Sequence, residues 1–180
     1  MADEYDMVNR DEIAEDLERA RIEFHRLLAL AGPDDWGKPT RGTRWTNEEL
    51  LFHMVFGYMV VQRLLILARV FSRMPDPVSR MFANILDSAT KPFHLINYYG
   101  SCSAALVYTR RRMGAKLDRV IGSLQRKLRR ENEADFARGM HYPVRWDPFF
   151  EDFMTLEDVY RYPGRHFDFH AHQLTLTATQ

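Results

Sequence analysis

From Asp11 to Ala31 the apolar residues Ile13, Leu17, Ala20, Phe24, Leu27, Leu28 and Ala31 recur at steps of three and four, with acids and arginines between them. That is the 3.6-residue period of an amphipathic helix. Gly32-Pro33 stops it, and a polar loop carrying Asp34, Asp35, Gly37, Pro39 and Gly42 follows. Thr46 with Glu49 three residues on forms a Thr-x-x-Glu capping box, and Leu50, Leu51, Met54, Val55 and Tyr58 open a second helix reaching about Phe71. Met74-Pro75-Asp76-Pro77 breaks the chain. Residues 78–88 then suit a short helix and 92–100 an aromatic-rich connection. A third long helix is expected over 101–130, with Leu106, Met113, Leu117, Val120, Ile121, Leu124 and Leu128 on one stripe. Residues 131–154, with His141, Pro143, Trp146, Asp147 and Pro148, are aperiodic and read as a loop of a length that is often functional. Thr155 with Asp158 repeats the capping signature, so a fourth helix starts there, is disturbed at Pro163-Gly164 and resumes through His166 to about Leu176.

Four such stripes predict an all-α chain, an antiparallel four-helix bundle with a short helical insertion between the second and third helices, in one domain over 1–180. The 25 basic and 25 acidic residues cancel, so no net field draws a polyanion or an anionic membrane. The basic residues Arg110–Arg112 and Arg126–Arg130 are followed by Glu131, Glu133 and Asp135, the pattern of a solvated helix face. Neither nucleic acid nor membrane is expected as a partner. A single cysteine, Cys102, allows no intramolecular disulfide, and the acidic start Met1–Asp6 is unlike a secretory signal, which places the expectation in the cytoplasm. The apolar run 50–71 is long enough to span a bilayer, but His53, Gln62, Arg63 and Arg69 interrupt it, as in a buried helix.

The candidate chemistry lies in the histidines. His166 and His170, four apart on a helix, project from one face, and His53 stands among Leu50, Leu51, Met54 and Phe56, where a buried ring needs a partner. A shared divalent metal would be such a partner, with His53 within about 4 Å of the other two imidazoles. The spacing alone is not specific. Asp168 and His172 form a competing pair on another face, and a buried histidine bonded to a carbonyl is the plainer reading of His53.

The order of these features resembles the DinB-like superfamily of metal-binding helical bundles. Trp45-Thr46-x-x-Glu-Leu-Leu-x-His53 opens the second helix, and His166-x-x-x-His170-Ala-His-Gln173 lies in the last. The resemblance implies that His53, His166 and His170 hold a divalent metal. The family's usual His-Arg-Gly-Gln ending is His170-Ala171-His172-Gln173 here, so a role of the Arg-Gly pair does not carry over.

Three neutral imidazoles leave a coordination position open, as in catalytic sites; zinc is the first expectation, with nickel and iron as alternatives. Relatives implied by the resemblance include mycothiol-dependent maleylpyruvate isomerase and bacillithiol S-transferases. The expected activity is therefore metal-dependent transfer of a low-molecular-weight thiol to a small electrophile, with a metal-dependent hydrolase or a non-catalytic metal-stabilised stress protein as alternatives. Gln173, three residues beyond His170, is the candidate to hydrogen-bond a ligand or a bound cofactor. Cys102 lacks a neighbouring histidine or lysine and reads as a packing residue. A haem protein with histidine axial ligands would need its imidazoles on opposite faces of the macrocycle. Trp45, Trp146, Phe149, Phe150, Tyr160 and Tyr162 read first as packing at the bundle ends and second as the lining of a pocket. A small-molecule substrate and a homodimer formed through an exposed helix face complete the expectations.

Overall fold

A computed structural model describes residues 8–177; the acidic start Met1–Asp6 lies outside them. Helix α1 (Arg10–Leu30) begins at Asn9, whose side chain accepts from the Glu12 backbone N–H. A 3-10 turn (Pro33–Asp35) leads to α2 (Asn47–Phe71), and both halves of its Thr46–Glu49 capping box are formed. Helices α3 (Asp76–Ser88) and α4 (Thr90–Ala105) form the insertion, followed by α5 (Arg110–Leu128) and the short α6 (Glu133–Phe136). Strands β1 (Gly139–His141) and β2 (Phe153–Thr155) pair antiparallel, with Met140 opposite Met154. Helix α7 (Leu156–Ala171) starts on the Thr155–Asp158 capping box.

The four-helix bundle consists of α1, α2, α5 and α7. Helix α2 packs on α7 and α5, and α1 packs on α5 and α7, so the consecutive helices α1 and α2 face each other across a diagonal. Their inward stripes meet in one contiguous core that includes Ile13, Leu17, Phe24, Leu51, Met54, Leu117, Ile121 and Phe167. Each large side chain buried there contributes about 1.5–3 kcal/mol. Helix α2 is long and apolar enough to cross a membrane by length and composition, but 56% of that window is buried inside the protein.

Four expectations are corrected. Residues 92–100 are helical: Phe93, Asn97, Ser101 and Ala105 share one face of α4 at steps of four, and because two of them are polar they leave no hydrophobic stripe to read. Pro92 sits in the first turn, where its missing N–H costs nothing. The expected helix 101–130 is two helices. The chain breaks after Ala105, leaves Leu106 90% exposed, turns Tyr108 onto Phe52 with ring centroids 5.1 Å apart, and restarts after Thr109. The loop 131–154 contains α6 and the β1–β2 ribbon. Helix α7 runs unbroken through Pro163 but ends at Ala171, short of Leu176. The proline removes one backbone bond, and the burial of Tyr160, Tyr162, Pro163 and Phe167 holds the helix across that gap. Gly164 lets α1 approach: a Cβ there would lie 2.1 Å from Asp16 Oδ2.

Beyond α7 the chain is laced to the segment before α2. The Thr175 backbone N–H donates to Asn47 Oδ1 at 2.9 Å, Thr177 Oγ1 donates to buried Asp35 at 2.7 Å, and the Arg41 N–H donates to the Gln173 carbonyl at 2.8 Å. These bonds fix the start of α2 against the end of α7, and so fix His53 relative to His166 and His170.

Candidate metal centre

His53 lies in the second turn of α2, and His166 and His170 on one face of α7. One nitrogen from each ring lies within 4.8 Å of the others, a looser bound than the 4 Å expected. All three residues are buried. The ring centroids are 5.2 Å apart for His53 and His166, 4.8 Å for His53 and His170, and 4.5 Å for His166 and His170. Gly57 makes the α2–α7 approach possible, because a Cβ there would stand 3.0 Å from the His166 ring.

Burial, and then the neighbouring His170, pushes the His53 imidazole down to about 3. Burial and the other two rings hold His166 well below the usual histidine range; burial lowers His170 as well, opposed by Gln173 and Asp147. All three rings are therefore neutral near pH 7, the form in which an imidazole offers a lone pair. His170 Nδ1 lies 2.7 Å from Gln173 Oε1, and since an amide oxygen only accepts, Nδ1 carries the proton and Nε2 keeps its lone pair. His53 Nδ1 meets Ser101 Oγ of α4 at 3.4 Å, and the Trp45 indole stacks on the His53 ring at 4.3 Å. The donor set fits a divalent metal: three neutral imidazoles from two helices, two of them held from behind by polar partners.

The sequence-predicted triad is thus brought together, and Gln173 stands at His170 with its oxygen engaged. Asp168 is turned away to an ion pair with Arg19 at 2.9 Å, and His172 Nδ1 contacts the Asp168 carbonyl. Cys102 sits beside Glu49 and Tyr98, and burial followed by Glu49 raises its thiol, the opposite of what a nucleophile needs.

Asp147 carries no motif of its own in the sequence. Its Oδ2 lies 3.5 Å from His166 Nε2, accepts the Tyr162 hydroxyl at 2.9 Å, and its Oδ1 accepts the Phe149 N–H at 2.9 Å. Burial raises this carboxyl. Trp146-Asp147-Pro148 has no periodicity to mark it; the only signal was the length of the segment it sits in. Of the aromatic residues expected at the bundle ends, Trp146, Phe150 and Tyr162 line a cavity next to the histidines, Phe149 packs on Phe169, and Tyr160 packs on Phe136 elsewhere.

The sequence profile of the DinB superfamily matches residues 16–174. No curated protein matches the chain. Among solved structures, YfiT from Bacillus subtilis superposes with a TM-score of 0.62 at 17% identity, covering 92% of this chain and 83% of that one. It is described as a probable metal-dependent hydrolase with an unusual four-helix bundle topology, and the likeness at that identity is one of fold.

Proposed function

The chain belongs to the DinB superfamily, and on that footing we propose that it is a metal-dependent transferase, joining a low-molecular-weight thiol to a small electrophile at His53, His166 and His170. The observation that carries this reading is the convergence of three buried neutral imidazoles beside a cavity with an almost wholly apolar lining. Such a lining holds water poorly, which favours a nucleophile that brings its own carrier molecule over bulk water. A divalent ion bound by the three rings would lower the pKa of a thiol or water in its open position.

The chain's own residues supply the rest. The raised Asp147 carboxylate takes the thiol proton at Oδ2 while the Tyr162 hydroxyl holds that oxygen in place. As sulfur bonds to the electrophilic carbon of an epoxide, the carbon–oxygen bond opens and the freed oxygen recovers the proton from Asp147. Gln173 and Ser101 keep His170 and His53 in their ligating orientations.

Hydrolysis is the second reading, favoured by the same carboxylate, which suits a base for water, and by the description of YfiT. Metal-loaded protein is assayed with cysteine, glutathione and related thiols against 1,2-epoxybutane, and separately with p-nitrophenyl butyrate. Thiol-dependent loss of the epoxide supports transfer. Ester hydrolysis without any thiol effect replaces it with the second reading, and silence in both arms of fully metallated protein removes both.

A further inference from the structure

A partly enclosed cavity of about 100 Å³ runs from the metal centre along α2. On α2 it is lined by His53, Gly57, Val60, Leu64 and Leu67, one helical face covering about 21 Å of axis. Its polar lining is His53, Asn97, Asp147 and His166, with the phenol rings of Tyr142 and Tyr162 beside them. Asn97 faces His53, His53 packs on His166, and His166 stands by Asp147, so these four form one polar end. Beyond them the walls are hydrocarbon and aromatic: Phe82 and Leu86 of α3, Phe93 of α4, and Trp146. Phe93 and Trp146 stack at 3.8 Å and 9°, and the Trp146 indole N–H donates to the Leu86 carbonyl at 2.9 Å, so the indole's polar edge is satisfied within the wall.

The geometry points to an apolar subsite for the substrate: an uncharged, unbranched alkyl chain that enters the slot while its reactive polar head remains at the histidines. This rests on the proposed function for the identity of the head group. A charged tail would meet no opposite charge in the slot beyond the histidine end and would lose its hydration. The volume sets the size: a dry cavity of about 150 Å³ holds the six carbons of one benzene, so about 100 Å³ holds a chain of about four carbons. The lining position on α2 that sets the length is Val60, two turns beyond His53.

The probes are the primary alcohols from ethanol to 1-decanol, titrated by calorimetry and tryptophan fluorescence into metal-loaded and chelator-treated full-length protein. Affinity rises about fourfold per methylene until the slot is full and is then flat. Val60→Trp moves the plateau to shorter chains, and Val60→Ala moves it to longer ones; the alanine variant carries the test should the tryptophan variant fail to fold. Affinity independent of chain length, or a plateau unmoved by either folded variant, overturns the subsite. Metal binding is titrated on the same samples. Normal metal uptake with no alcohol binding overturns the subsite and leaves the metal centre standing, whereas graded alcohol binding without metal uptake supports the slot and removes the proposed function.

Discussion

Helix α2 carries two buried polar clusters of opposite design. At its far end, about 24 Å beyond His53, the Arg69 guanidinium is paired with Glu131, which also accepts the Tyr160 hydroxyl at 2.7 Å. Positive charge, negative charge and hydroxyl complete one another, so the cluster closes on itself. At the near end three neutral imidazoles face each other, and each can supply a lone pair that no neighbour in the trio is charged to receive. A closed cluster fixes the packing of α2, α7 and the segment after α5; an open one is arranged for something that is not part of the chain. What separates the two ends is charge: a closed pair at one, neutral rings gathered on one another at the other.

The largest expected effect breaks the open cluster. His53→Ala, His166→Ala or His170→Ala weakens zinc or cobalt binding by more than about 100-fold, the upper end of the cost of losing an outer hydrogen-bond partner. Chelator competition measures it, and uptake unchanged in all three variants would show that the trio is packing only.

Acid separates the two ends next. The folded-state pKa values of the three histidines are depressed, so below about 6.5 the unfolded chain binds more protons than the folded one. Their stabilisation is complete above pH 6.5 and is lost as pH falls towards the folded value of about 3 at His53. Each such histidine adds a slope of up to about 1.4 kcal/mol per pH unit. Melting of metal-free protein between pH 7.5 and 4.5 should show this loss, and the His53→Phe variant should show a shallower slope.

Glu131→Ala tests the closed cluster. It leaves Arg69 and the Tyr160 hydroxyl without their acceptor; a broken buried pair costs about 3–5 kcal/mol, and the partial exposure of Arg69 reduces this to about 2–3 kcal/mol. Urea unfolding should register that loss with metal affinity unchanged. A fall in metal affinity as well would mean that the two ends are coupled through α2.

The same contrast explains what could be read from the sequence. Both capping boxes, the stripes of α1 and α2, and the His166/His170 face depend on neighbours three or four residues away, and all are present in the structure. The face of α4 is written in Phe93, Asn97, Ser101 and Ala105, whose inward positions are chosen for the cavity and His53 rather than for hydrophobicity, so a search for apolar periodicity passes over it. Asp147 is placed by the β1–β2 ribbon and by Tyr162, contacts between distant parts of the chain that no local spacing records.

The smallest effects distinguish the residue behind a ligand from one that merely neighbours it. Gln173 accepts from His170 Nδ1 and so fixes which nitrogen faces the trio; Gln173→Ala should cost about 10–100-fold in metal affinity and leave stoichiometry intact. Gln173→Glu keeps an acceptor at that position and should recover most of the loss, which a purely structural role would not produce. His172 follows His170 by two residues, caps the end of α7 and places its Nδ1 at the Asp168 carbonyl, on a different side of the helix from the trio. His172→Ala should therefore leave metal affinity within about twofold of the parent, since no ligating ring is held by it. Equal losses for His172→Ala and His170→Ala in parallel cobalt titrations would place the metal on the other face of α7 and reassign the open cluster.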